Sequence, residues 1–264
     1  MMRYKQIRVD FLLNKITKKD ILFKGDYTID SYQNCEFGCL YCDSSFDKTI
    51  YIKTNAPDVL NEELEKSKKG TIIVGSVHDP YQKAEEEFKI TRELLKIIAQ
   101  QDLSCHILTK SDLVVRDIDI LKKIDNCCVT ISITSLKDTV SKIFEKNVPL
   151  PKIRLQTIEK LTNDGIISGL AVIPVLPYIV EEELEDIVKS AKNHEALYLL
   201  HKHLELKGDQ KTFLISILKD FYPELVEKYE KLYMDSYIPD KKYILKINNT
   251  IKKLCKSYNL KNRI

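Results

Sequence analysis

Cys35, Cys39 and Cys42 stand at C-x3-C-x2-C spacing in the run Cys35-Glu36-Phe37-Gly38-Cys39-Leu40-Tyr41-Cys42. Of the seven cysteines in the chain, only these three are close enough in sequence to bind one metal centre as a unit. Thiolates are the ligands of iron–sulfur clusters and of structural zinc. Three of them hold three corners of a cubane 4Fe-4S cluster, and no fourth cysteine follows at ligand spacing. One iron is then open to a small molecule, an arrangement for chemistry rather than for structure. Structural zinc takes four protein ligands, typically as two paired motifs, and a second pair is missing. Cys127 and Cys128 are adjacent, so strand alternation points them to opposite faces. With Cys105 they read as buried small apolar residues, and Cys255 reads as a lone thiol. Gly38 gives the backbone freedom to wrap a cluster.

These residues need elements to position them. Continuous apolar runs such as 71–75 (TIIVG) mark strands buried on both faces. Strands are predicted over 27–33, 71–75, 104–108, 127–132, 169–176 and 196–200. Helical spacing of apolar residues predicts helices over 55–68, 85–100, 112–125, 152–163 and 181–192. Pro57 suits a first helical turn, Ser111 an N-cap, and Asp164-Gly165 a helix stop. Strands alternating with helices predict a parallel α/β sheet with right-handed crossovers. The triplet then follows the first strand, at the end where such sheets place their sites. After Leu200 helices dominate, over 210–219, 224–233 and 241–258, the last with Ile244, Ile247, Ile251 and Leu254 as a stripe. The expected division is an N-terminal extension (1–26), a core (27–205) and a helical C-terminal extension (206–264) packed on it.

Composition sets limits on function. With 264 residues, 44% hydrophobic and 31% charged, the chain has the make-up of a globular protein able to bury a large core. A net charge of +3 implies no nucleic-acid or membrane partner. The longest uncharged run, 165–180, is too short to span a bilayer and carries two prolines. The N-terminus lacks the apolar stretch of a signal peptide. With an odd cysteine count, this places the chain in a reducing cytoplasm.

The triplet, with Tyr41 before its last cysteine, resembles the signature of the radical S-adenosylmethionine (SAM) superfamily. The segments His78-Asp79-Pro80-Tyr81-Gln82, Thr91-Arg92, Leu108-Thr109-Lys110-Ser111, Arg116-Asp117-Ile118-Asp119 and Ser132-Ile133-Thr134-Ser135 resemble its spore photoproduct lyase-like branch, often labelled DNA repair photolyase. Residues 149–155 and 173–177 continue the similarity in order. The resemblance implies a partial (β/α)6 TIM-type barrel and a 4Fe-4S cluster on Cys35, Cys39 and Cys42. SAM would chelate the open iron and be cleaved reductively to a 5′-deoxyadenosyl radical that abstracts hydrogen from an unknown substrate. An electron donor such as ferredoxin or flavodoxin follows as a partner.

Further SAM contacts follow from the resemblance and from position at strand ends. Tyr41 would pack beside adenine, and Asp79 would hold the ammonium or cap the turn before Pro80. Lys110 would pair with the carboxylate, while Ser76, Ser132 and Thr134 would bond ribose or carboxylate oxygens. Glu145 and Arg154 match charged positions of relatives, as a ribose contact or as an ion pair. Val175 would offer backbone to adenine. His78 is a candidate proton donor, although turn packing explains it more simply. His194, His201 and His203 carry no carboxylate at ligand spacing and do not read as a metal site.

The lyase itself uses an additional cysteine after strand two; here none lies between Cys42 and Cys105, so that activity is not expected. A nucleic-acid substrate stays open. Its one hint is residues 241–264, with eight basic residues and no acidic one, and a solvated lysine face is the preferred reading of them. The competing function is a non-enzymatic iron–sulfur or zinc protein for binding or electron transfer.

Overall fold

The computed structural model describes residues 2–42 and 48–264. Its larger sheet is built on parallel strands β3 (Tyr27–Ile29), β6 (Thr71–Val74), β7 (Ser104–Thr109), β8 (Cys128–Ser132), β9 (Ile167–Val175) and β10 (Leu199–His203). They are neighbours in chain order, and a short antiparallel strand, β2 (Asn14–Lys15), pairs with β3 at the far edge. The two end strands do not pair, so the sheet is a partial barrel of the expected (β/α)6 TIM type. The residues of β8 are buried throughout, as parallel strands covered on both faces must be.

A second, three-stranded sheet was not foreseen. It joins β1 (Arg3–Ile7), β5 (Thr49–Lys53) and β4 (Tyr32–Gln33) in the order β1-β5-β4. The predicted strand 27–33 is therefore two strands in two sheets. The chain turns at Asp30, whose carbonyl accepts from Lys53 Nζ at 2.7 Å and whose carboxylate accepts from the Val77 and His78 amides at 3.1 Å. The segment 43–54 contains β5, and residues 43–47 lie outside the described residues.

Helices α1 (Ala56–Leu64), α6 (Pro151–Asn163) and α7 (Leu184–Asn193) fall close to their predicted positions. Other boundaries moved for identifiable reasons. The predicted helix 85–100 is split into α2 (Ala84–Phe88) and α3 (Ile90–Ile98) at Lys89, which is left-handed. Glu85 turns its carboxylate onto the Thr91 and Arg92 amides, at 2.9 and 3.1 Å, and so caps the second helix. Residues 112–117 form 3-10 turns, with Ser111 Oγ accepting from the Leu113 amide as the N-cap, before the short α4 (Ile118–Leu121). Strand β10 sits three residues later than expected and runs into the polar His201–His203 stretch.

The helical tail consists of α8 (Gln210–Phe221), α9 (Val226–Leu232) and α10 (Lys241–Ser257). In α10 the buried stripe is Tyr243, Ile247, Ile251 and Cys255, rotated from the predicted one, and the helix packs on α7. Its lysines 242, 252, 253 and 256 are exposed.

The barrel interior is closed at the N-terminal ends of the strands. Leu22, Phe23 and Ile264 pack there with Ala171, Tyr198 and Leu200. The C-terminal residues are tied in by Leu199 N–H to Lys261 O (2.8 Å) and Asn262 Nδ2 to Leu199 O (2.9 Å).

Candidate active site

The cysteine loop leaves β4 through Asn34, whose backbone is left-handed and whose Nδ2 donates to Thr49 O at 2.8 Å. Gly38, with φ of +57°, turns the chain between the first two cysteines. Leu40 N–H donates to Phe144 O at 2.9 Å, and Cys42 N–H to Cys39 O at 3.0 Å. The buried Glu36 carboxylate accepts from Tyr4 Oη and from the Ala84 amide, both at 2.6 Å. Asn147 Nδ2 donates to Glu36 O at 3.2 Å, and Gln210 Nε2 of α8 donates to Tyr41 O. The loop is thus held by the N-terminal sheet, α2, the segment after helix α5 (Asp138–Phe144) and the helical tail.

The three cysteines line a cavity of about 370 Å³ at the C-terminal ends of the barrel strands. The strand ends contribute Gly75, Ser76 and Asp79 after β6, Thr109 and Lys110 at β7, Ser132 at β8, Ile173 and Pro174 of β9, and His203 of β10. Gly75 is required here: with φ of +85°, an added Cβ would stand 2.4 Å from Pro80 Cδ and 2.7 Å from Leu108 O. Of the sequence-derived site residues, the fold brings Cys35, Cys39, Cys42, Tyr41, Ser76, Asp79, Lys110 and Ser132 to this cavity.

Lys110 Nζ donates to Ser132 Oγ at 2.9 Å and lies 5.8 Å from the centroid of the Tyr41 ring. Asp79 accepts from Thr109 Oγ1 (2.6 Å), the Lys110 amide (2.7 Å) and the Tyr81 amide (2.9 Å). Burial still raises its pKa above the ordinary carboxylate value. Ser76 Oγ donates to Asp30 Oδ2 at 3.3 Å.

Thr134, Glu145, Arg154 and Val175 are not in the cavity lining. Glu145 and Arg154 are 1% and 0% exposed and pair at 2.7 Å. Glu145 also accepts from Tyr41 Oη and from Thr134 Oγ1, the latter at 3.1 Å. Burial works to raise the Glu145 pKa, yet Arg154 and then Lys110 hold the carboxyl below its ordinary range. Arg154 Nη1 donates to Ser132 O at 2.8 Å. These residues therefore sit behind Tyr41 and Ser132 and fix them. Val175 is buried, and its predecessors Ile173 and Pro174 face the cavity instead.

His78 does not line the cavity. His201 and His203 converge on Asn248: their Nε2 atoms lie 2.9 and 2.8 Å from its Oδ1, so each ring donates there. Burial lowers both pKa values. His194 Nδ1 bonds Ser190 O at 2.9 Å. The quoted segments around Thr91, Arg92, Arg116 and Asp117 form an ion network outside the cavity, with Arg116 on Glu85 at 2.6 Å and Arg92 on Asp117 at 2.5 Å. Sequence reading missed Asp30, Glu36, Gln82 and Gln210. Glu36 and Gln82 lay inside the quoted motifs, whereas nothing in the sequence singled out Gln210.

The donor set fits a cluster. Burial, and then Asp79, push the Cys35 thiol up to about 12, opposed by the backbone N–H groups of Phe37 and Asp79. Burial also raises Cys39, opposed by Lys110. Such thiols stay protonated alone, but a bound metal deprotonates its thiol ligands. Among the described residues, no three His, Cys, Asp or Glu side chains are grouped to hold a single metal ion. A zinc site needs its sulfurs about 4 Å apart, whereas a cubane takes one thiolate per iron.

A sequence model of the Radical SAM superfamily matches residues 29–191. An uncharacterized protein of Methanocaldococcus jannaschii is 31% identical over 238 residues, 86% of each chain. An uncharacterized protein of Mycobacterium tuberculosis is 26% identical, over 81% of this chain and 69% of its own. The fold is similar to that of a spore photoproduct lyase mutant with bound AdoMet and dinucleoside spore photoproduct, with a TM-score of 0.74 at 13% identity, covering 96% of this chain and 79% of that one. A radical S-adenosylmethionine methyltransferase from Kitasatospora setae matches over 68% of this chain and 36% of its own, with a TM-score of 0.52 at 12% identity.

Proposed function

The chain belongs to the radical SAM superfamily and is an enzyme of that kind, and on this premise we propose that Cys35, Cys39 and Cys42 ligate a 4Fe-4S cluster whose fourth iron takes SAM. The observation that carries this reading is that all three thiols line the same cavity as Lys110, Asp79 and Ser132. When bound, the cluster supplies one electron that cleaves SAM to methionine and a 5′-deoxyadenosyl radical for hydrogen abstraction.

The protein's share is binding, orientation and exclusion of water. Lys110 makes no carboxylate ion pair among the described residues; its Nζ bonds Ser132 Oγ and lies over the Tyr41 ring, and it suits the SAM carboxylate by a charge-assisted contact. Asp79 has three of about four acceptor sites filled, by Thr109, Lys110 and Tyr81. The remaining one suits the SAM ammonium. Tyr41, fixed through Glu145, offers a ring for adenine, and Ser76 and Ser132 offer hydroxyls for ribose or carboxylate. Thr134, Glu145 and Arg154 act through Tyr41 and Ser132 rather than by contact. For adenine, backbone at Ile173 and Pro174 replaces the expected Val175. Gln210 and the residues after β10 close the cavity on the side facing the tail.

A ferredoxin or flavodoxin would supply the electron. The lyase's additional cysteine has no counterpart between Cys42 and Cys105, so either a different hydrogen donor or a different substrate is required here. No helix among the described residues is long and apolar enough to cross a membrane. The test is anaerobic reconstitution with iron and sulfide, followed by dithionite and SAM. The expected products are 5′-deoxyadenosine and methionine; an intact cluster that yields neither overturns the proposal.

A further inference from the structure

We propose that Gln82 is a positioning residue for the ligand Cys35, fixing the backbone that presents its sulfur and so the retention and redox behaviour of the cluster. The inference rests on the cluster assignment above. Gln82 is 0% exposed. Its Oε1 accepts from the Glu36 amide at 2.9 Å, and its Nε2 donates to Asn34 O at 3.0 Å. These two groups flank Cys35, so one side-chain amide brackets the ligand as a neighbouring parallel strand would. No strand pairs with the backbone at this point, because β4 ends at Gln33.

The segment that carries Gln82 grips this stretch once more: the Ala84 amide donates to the Glu36 carboxylate at 2.6 Å. Residues 82–84 thus fix the backbone that presents the ligand through a buried side-chain amide and a peptide N–H. Groups that orient a metal ligand control how firmly the metal is held and help to tune its potential. Loosening the bracket therefore weakens cluster retention and shifts the potential.

A matched control exists in the same fold. Asn55 likewise uses both ends of a side-chain amide on the backbone, here on the two groups of Val9 itself, Oδ1 accepting from Val9 N–H and Nδ2 donating to Val9 O, both at 2.8 Å. It is also buried, but it does not line the cavity.

The experiment compares reconstituted wild type with Gln82→Met, which removes both bonds at similar volume, Gln82→Asn, which is one methylene short, and Asn55→Leu. The readouts are the EPR spectrum and midpoint potential of the reduced cluster without SAM, iron loss to a chelator, and Tm. The expected result is a shifted midpoint and altered g-values in Gln82→Met, with iron lost on the order of 10-fold faster. A smaller change of the same sign is expected in Gln82→Asn, which decides the matter if the Met variant does not fold. Asn55→Leu is expected to lower Tm and leave the cluster unchanged. Wild-type potential and spectrum in both Gln82 variants, or an equal shift in Asn55→Leu, overturns this inference alone. A wild type that assembles no cluster overturns the assignment of the site, and this inference with it.

Discussion

The two ends of the barrel are built on the same strands and have opposite character. At the floor, polar groups satisfy one another. His106 Nε2 bonds Thr130 Oγ1 at 2.6 Å, and Thr130 Oγ1 bonds Tyr198 Oη at 2.7 Å. Phe23 packs edge-on against His106, and Leu22 and Ile264 pack in the same cluster. At the mouth, the same strands end in Asp79, Lys110 and Ser132, which face a cavity. Between the two ends the interior is lined by apolar residues such as Leu108 and Ile173. The lesson is that parallel strands alone do not make a site. What is inserted at each end does: plugs below, and above a cysteine loop anchored by distant elements.

The contrast predicts different responses to substitution. The largest effect on stability belongs to the mouth, behind Tyr41. Arg154→Met leaves the buried Glu145 carboxylate without its partner and should cost about 3–5 kcal/mol in denaturant unfolding. Adding Glu145→Gln should recover much of that loss. An Arg154→Met protein of wild-type stability would show that the pair does not hold this region.

Next comes the floor and its response to acid. Burial lowers the His106 pKa from 6.5 to about 4. The folded state then keeps this ring neutral while the unfolded chain takes up a proton. Its contribution is fully present above the unfolded value and is lost as pH falls from 6.5 towards about 4, with no further change below. Over that window the loss amounts to about 3 kcal/mol. His106→Gln should flatten the stability profile between these limits relative to wild type; an unchanged slope would place the acid sensitivity elsewhere.

The smallest effect is expected from Thr130→Val, which strips a partner from both His106 and Tyr198. Its cost should be about 1–3 kcal/mol in unfolding, with SAM cleavage rates unchanged. A lost SAM reaction in this variant would erase the distinction between floor and mouth.

How much of this was legible depended on whether the signal was local. The strand at 71–75 is a continuous apolar run, and it and those at 104–108 and 127–132 stand where they were expected. The cysteine triplet is a local pattern, and so is the Pro and Gly punctuation of α6. The three-stranded sheet was hidden because its strands are short, partly polar and far apart in sequence. The break at Lys89 comes from a tertiary role of Glu85, which no helical periodicity reveals. Glu145 and Arg154 carried two readings, a ribose contact or an ion pair, and they pair with each other; contact with a ligand and support of Tyr41 differ only in which way each side chain faces. Gln210 enters the cavity from the tail, beyond any motif.

The decisive measurement is the EPR spectrum of the dithionite-reduced, reconstituted protein with and without SAM, taken for wild type and for Cys42→Ala. A three-cysteine cluster with an open iron requires a spectrum that changes on adding SAM in wild type, and a loss of the assembled cluster in the variant. A wild-type cluster whose spectrum ignores SAM, or a cluster that assembles equally well without Cys42, would contradict it.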